Sequence, residues 1–127
     1  EIDFAFDPSE QPVDIVGDAT LLGEMIRNLV DNALKYTPRG GTVVISVHAK
    51  PNRLIIDDSG VGIALADRER VFAPFARVTQ LDPESGASIS GTGLGLAIVR
   101  EVAQSHGASV HIESSPYGGA RFVVSFV

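Results

Sequence analysis

Three groups of residues have types and spacings suited to chemistry. In the stretch Leu22 to Pro38, wound at about 100° per residue, Glu24, Asn28, Asn32 and Lys35 fall on one line. Leu22, Met25, Ile26, Leu29, Val30, Ala33 and Leu34 fall on the other side. Asparagine is a mediocre helix former because its amide competes for backbone hydrogen bonds. Two of them four apart on a long helix therefore ask for a reason, and a solvated face and a ligand-facing line both remain open. The second group is Asp58-Ser59-Gly60-Val61-Gly62, a carboxylate at a strand end followed by two glycines that let backbone approach a ligand. A plain turn uses the same residue types. The third is Gly91-Thr92-Gly93-Leu94-Gly95-Leu96, where alternating glycines lead into a helix whose free N–H groups and positive dipole end suit a phosphate. Glycine also serves simply to open a helix. This run is neither the Gly-x-Gly-x-x-Gly dinucleotide fingerprint nor a P-loop, which requires Gly-Lys-Ser/Thr.

The elements that must carry these groups are legible in order. Ile2, Phe4 and Phe6 alternate with polar or small residues as a first strand, and a short strand is expected around Val13 to Val16. Asp18 is a candidate N-cap for a helix from Ala19 to Tyr36, which Thr37-Pro38-Arg39-Gly40-Gly41 terminates. Thr42 to Ala49 and Arg53 to Asp57 read as a hairpin across Pro51-Asn52. A short helix near Ala66 to Val71 follows, then a stretch from Thr79 to Thr92 without apolar periodicity, of a length found in functional lids or disordered segments. Helical spacing returns from Gly93 to His106, with Gly107 as the residue that stops it. Strands around Ser109 to Glu113 and Ala120 to Val127 close the chain about a turn at Pro116 to Gly119. Two hairpins and few parallel crossovers predict an α+β, two-layer sandwich. Its mixed sheet has about five main strands, with about three helices on one face.

Composition narrows the function classes. The chain has 127 residues, 44% of them hydrophobic and 20% charged, which suits one globular domain spanning 1–127. Without cysteine there is no disulfide, thiolate catalysis or sulfur-ligated metal. His48, His106 and His111 are not at metal-ligand spacing from one another, so a zinc site is not expected. A net charge of −6 disfavours nucleic acid and anionic membrane as partners, and no apolar run reaches the length of a membrane span.

Taken in order, these segments strongly resemble the ATP-binding catalytic domain of bacterial sensor histidine kinases, a branch of the Bergerat-fold ATPase and kinase superfamily. Asn28 to Pro38 is similar to the N box of that family, Asp58 to Ile63 to the G1 box, Val71 to Val78 to the F box and Gly91 to Val99 to the G2 box. Gly118-Gly119-Ala120-Arg121-Phe122 resembles its terminal glycine motif. The resemblance implies ATP and Mg²⁺ as ligands. It gives Asn32 an amide oxygen on Mg²⁺, which prefers oxygen ligands, and Asn28 a supporting place one turn earlier. Lys35 and Arg77 would contact the phosphates, and Tyr36 would pack on the adenine. Asp58 would accept from the adenine amino group, with Gly60 and Gly62 permitting close approach and Ile63 lining the base pocket. Gly91, Thr92, Gly93, Leu94, Gly95 and Leu96 would close over the triphosphate.

ATP-hydrolysing branches of the superfamily carry a glutamate four residues before the metal-binding asparagine. Here that residue is Asn28, and an amide cannot act as a general base. Transfer of the γ-phosphoryl group to a protein side chain is therefore expected over hydrolysis. None of the three histidines lies in a phosphoacceptor context. The resemblance thus implies a fragment of a larger, membrane-anchored kinase with this part in the cytoplasm. Its partners would be a histidine-bearing dimerisation domain of the same kinase and, indirectly, a response regulator. The alternatives are an anti-sigma-factor-type serine kinase and a nucleotide-binding module without transferase activity.

Overall fold

The computed structural model describes residues 2–7, 15, 17–73 and 95–126. Five strands, β1 (Asp3–Asp7), β2 (Thr42–His48), β3 (Arg53–Asp58), β4 (Ser109–Ser114) and β5 (Ala120–Ser125), form one sheet in the order β1-β2-β3-β5-β4. β1 runs parallel to β2 and every other pair is antiparallel, so the sheet is mixed as expected. Two α-helices, α1 (Ala19–Tyr36) and α2 (Gly95–Ser105), pack together and against one face of the sheet. This is the two-layer α+β sandwich that the alternation of patterns predicts.

Local chemistry sets the ends of α1. Asp18 Oδ1 accepts the amides of Thr20 at 2.9 Å and Leu21 at 3.1 Å, satisfying two of the donors that a helix N-terminus leaves free. At the other end the Thr37 hydroxyl donates to Ala33 O at 2.6 Å, and Pro38 follows. Helix α2 ends in a Schellman arrangement, with Gly107 N–H on Gln104 O and Ala108 N–H on Ala103 O.

The core lies between the layers. Met25, Leu29 and Ala33 of α1 and Val99, Val102 and Ala103 of α2 pack with Val43, Leu54, Ile56, Ile112, Phe122 and Val124 of the sheet. Full burial of a side chain such as Leu29 or Ile56 contributes about 1.5–3 kcal/mol each. The apolar stripe on α1 is narrower than its periodicity predicts, because Ile26 is 37% exposed. The short helix expected near Ala66 to Val71 is instead two 3-10 turns, Leu65–Asp67 and Arg70–Phe72. So short a run gains little from an α-helical ladder. Side chains hold it: Arg68 donates to Ile63 O and Ser114 Oγ, and the Arg100 guanidinium of α2 lies 4.6 Å from the Phe72 ring centroid.

The strand expected around Val13 to Val16 lies outside the described residues except for Ile15, which has no regular structure. The stretch from Thr79 to Thr92 also lies outside them. Among the described residues, no helix is long and apolar enough to cross a membrane.

Candidate functional site

Asp58 is the last residue of β3, and its side chain points to the helix-bearing face where α1 ends. It is 3% exposed. Its Oδ1 accepts two backbone amides, Gly60 N–H at 2.9 Å and Ala120 N–H at 3.0 Å. Burial pushes the carboxyl above the usual range; the two amides oppose that push, and the neighbouring charge of Asp57 adds to it. Asp58 is thus an oriented acceptor, fixed through Oδ1.

The chain around Asp58 is tightly threaded. Ser59 N–H donates to Thr42 O, while the Ser59 hydroxyl oxygen accepts Thr42 N–H at 2.8 Å, which ties the start of the glycine loop to β2. Gly119 N–H donates to Asp58 O. A Cβ on Gly119 would stand 2.1 Å from Asp58 Oδ1, and one on Gly60 would stand 2.2 Å from Tyr36 O. Only residues without side chains fit these approaches. A shallow recess opens beside Asp58, lined by Asn32, Tyr36, Gly62, Ile63, Ala120 and Phe122.

The fold therefore gathers Asn32 and Tyr36 from α1 with Asp58 at the end of β3 and Gly62 and Ile63 from the loop that follows. Burial raises the Tyr36 phenol above its ordinary range, which keeps it a neutral, flat wall. Asn28 is one turn away and faces the start of α2, where a Cβ on Gly95 would be 3.5 Å from Asn28 Oδ1. Leu96 is partly buried against the core. Lys35 is exposed and outside the recess lining, with Nζ 5.9 Å from the Tyr36 ring centroid. Arg77, Gly91, Thr92, Gly93 and Leu94 lie outside the described residues. Ala120 was not singled out by its sequence, because its contribution is a main-chain N–H that any residue but proline would supply.

The arrangement suits a flat heteroaromatic base with an exocyclic amino group: apolar walls, an aromatic ring and a buried carboxylate oxygen. The residues also fit a hard divalent cation in one limited way. Among the described residues no three His, Cys, Asp or Glu side chains cluster as a metal cage. Asn32 offers a single amide oxygen, the kind of sparse protein ligation Mg²⁺ accepts when phosphates and waters complete its shell.

Residues 17–127 match the family of histidine kinase-, DNA gyrase B- and HSP90-like ATPases, and the chain belongs to that family. Within it, the chain is similar to sensor histidine kinases. It is 42% identical over 113 residues to the sensor-like histidine kinase SenX3 of Mycolicibacterium smegmatis, covering 87% of this chain and 29% of that protein. It is 43% identical over 111 residues to the sensor protein RstB of Escherichia coli, covering 86% of this chain and 24% of that protein. The chain thus spans less than a third of the length of these relatives. Among solved structures, the mycobacterial sensor histidine kinase MprB superposes with a TM-score of 0.83 at 30% identity, covering 98% of this chain and 80% of that one. The ATP binding domain of PrrB from Mycobacterium tuberculosis gives 0.75 at 31%, covering 98% and 79%. The fold is that of histidine kinase catalytic domains.

Proposed function

We propose that this chain is the catalytic ATP-binding domain of a larger sensor kinase, that it binds Mg·ATP, and that it donates the γ-phosphoryl group to a histidine on a separate dimerisation domain. The observation that carries the reading is the oriented Asp58 carboxylate, with Oδ1 held by Gly60 and Ala120 and the recess of Asn32, Tyr36, Gly62 and Ile63 beside it. Asp58 accepts from the adenine amino group and Tyr36 and Ile63 flank the ring. Mg²⁺, when bound, offsets the phosphate charge, and Asn32 supplies it an amide oxygen. Asn28 orients the phosphates or a water between α1 and α2. Lys35 and Arg77 provide positive charge for the phosphates, and Gly91 to Leu96 close over them. Because Asn28 is an amide, no residue at that place removes a proton from water, which favours transfer to a protein side chain. The full kinase is membrane-anchored with this domain in the cytoplasm, and it passes the phosphoryl group on to a response regulator.

Phosphotransfer tests the reading directly. The chain incubated with Mg·ATP and the dimerisation domain of the same kinase should produce acid-labile phosphohistidine on that domain and none on itself. ATP binding without any transfer would leave a nucleotide-binding module. Acid-stable phosphoserine on a small protein acceptor would favour a serine kinase instead.

A further inference from the structure

Asp57 and Asp58 are consecutive on β3, so their side chains leave opposite faces of the sheet. Both are only 3% exposed. Adjacent buried carboxylates are tolerated only when each is well paired. On the helix-bearing face, Asp58 is held by main-chain amides, as described. On the outer face, Arg121 grips Asp57 with two hydrogen bonds, Nε to Oδ1 at 2.7 Å and Nη2 to Oδ2 at 3.1 Å. Arg121 is the direct cross-strand partner of Asp57, and it immediately follows Ala120, whose N–H holds Asp58. Consecutive residues of β5 thus hold consecutive residues of β3, one from each side of the sheet.

The two grips differ in stiffness. A guanidinium and a carboxylate joined by two parallel bonds through both oxygens have one strongly preferred geometry, whereas the two amides on Asp58 converge on one oxygen, Oδ1. The Asp57 charge also lies close enough to push the Asp58 carboxyl upward, and the Arg121 guanidinium is the group that offsets that charge.

We propose that the Asp57–Arg121 pair is a positioning device for base recognition: it locks the β3–β5 register and balances the Asp57 charge, so that the Asp58 carboxylate stays aimed at the amino group of adenine. Neither side chain touches the nucleotide. The inference rests on the reading of Asp58 as the base acceptor. It concerns selectivity, because guanine presents a carbonyl oxygen where adenine presents an amino group, and a carboxylate repels it. A misaimed Asp58 therefore costs ATP binding more than GTP binding.

Calorimetric titration of the chain with ATP and with GTP, both with Mg²⁺, tests this. Asp58→Asn is measured first. If it leaves both affinities unchanged, Asp58 does not read the base, and the proposed site itself fails. If it erases the preference for ATP, the Arg121 variants decide the present inference. Arg121→Gln should lower the ATP-to-GTP affinity ratio by about tenfold, the equivalent of about 1.4 kcal/mol. Arg121→Lys keeps a positive charge beside Asp57 and with it the fold, but loses the two-pronged grip; its ratio should fall by less than that of Arg121→Gln. Should Arg121→Gln not fold, a lowered ratio in Arg121→Lys still supports the device. A ratio unchanged in every variant that folds would overturn it, even with a lowered Tm, because the pair would then be merely structural.

Discussion

His106 Nε2 accepts the backbone N–H of Asp18 at 3.0 Å, across 88 residues of sequence. Its Nδ1 is 2.8 Å from Val102 O, which can only accept, so Nδ1 carries the proton and Nε2 the lone pair. The ring thereby ties the residue that caps α1 to the end of α2. A Cβ on Gly17 would fall 2.3 Å from His106 Cδ2, which keeps Gly17 small. His106→Ala leaves the Asp18 amide without its partner and should lower stability by about 1 kcal/mol. Urea unfolding followed by circular dichroism measures this, and an unchanged midpoint would show the tie to be incidental.

Asp58→Asn should separate stability from binding. The asparagine Oδ1 still accepts from Gly60 and Ala120, while the charge that burial penalises is gone. The variant without nucleotide should be at least as stable as the native chain, yet bind ATP about tenfold to a hundredfold more weakly. Comparison of Tm with calorimetric affinity tests the pairing of effects.

A pH dependence follows from the raised Asp58 carboxyl. Its folded value lies above the unfolded one, so its contribution to stability is fully present below the unfolded value of about 3.9 and is lost as pH rises through the raised folded value. Nucleotide affinity should run the opposite way, falling with pH as Asp58 gains its proton, and starting above the ordinary carboxylate range. Affinity that stays flat across the whole acid range in which the chain remains folded would contradict an Asp58 contact.

Gly119→Ala should be among the most damaging single-methyl changes in the chain. The added carbon meets Asp58 Oδ1 at 2.1 Å and both Asp58 O and Gly60 N at 2.6 Å, where backbone leaves no room. A loss of about 1–3 kcal/mol is expected in urea unfolding, together with loss of ATP binding from whatever folded fraction remains. Native-like binding by the variant would place the base elsewhere.

Asn32→Asp should act on the metal more than on the base. A carboxylate in place of the amide oxygen alters the charge offered to Mg²⁺ and to the phosphates, while Asp58, Tyr36 and Ile63 are unchanged. The Mg²⁺ dependence of phosphotransfer should shift, with Mg²⁺-free nucleotide affinity changed by less than about threefold. An unaltered Mg²⁺ response would remove Asn32 from the metal site.

Much of this molecule was legible before folding was considered. Asp18 and Thr37-Pro38 bracket α1 because capping and proline chemistry are local. The β2–β3 and β4–β5 hairpins follow from alternation and turn residues, which are local too. The line of Asn28, Asn32 and Lys35 marked one side of α1 for the same reason. Local pattern failed where neighbours decide: Ile26 has the right phase for burial but stays 37% exposed, and Ala66 to Val71 has helical spacing but forms two 3-10 turns braced by Arg68 and Arg100.

The sequence by itself therefore determined the elements, their ends and the motif order that marks the family, since each depends on residues within a few positions of one another. Only the tertiary structure decided that Ala120 serves Asp58, that His106 serves Asp18, and that Asp57 is buried and gripped by Arg121. Those contacts join residues 62, 88 and 64 positions apart. They exist because strand register and helix packing bring distant backbone together, and no local periodicity encodes which N–H will meet which oxygen.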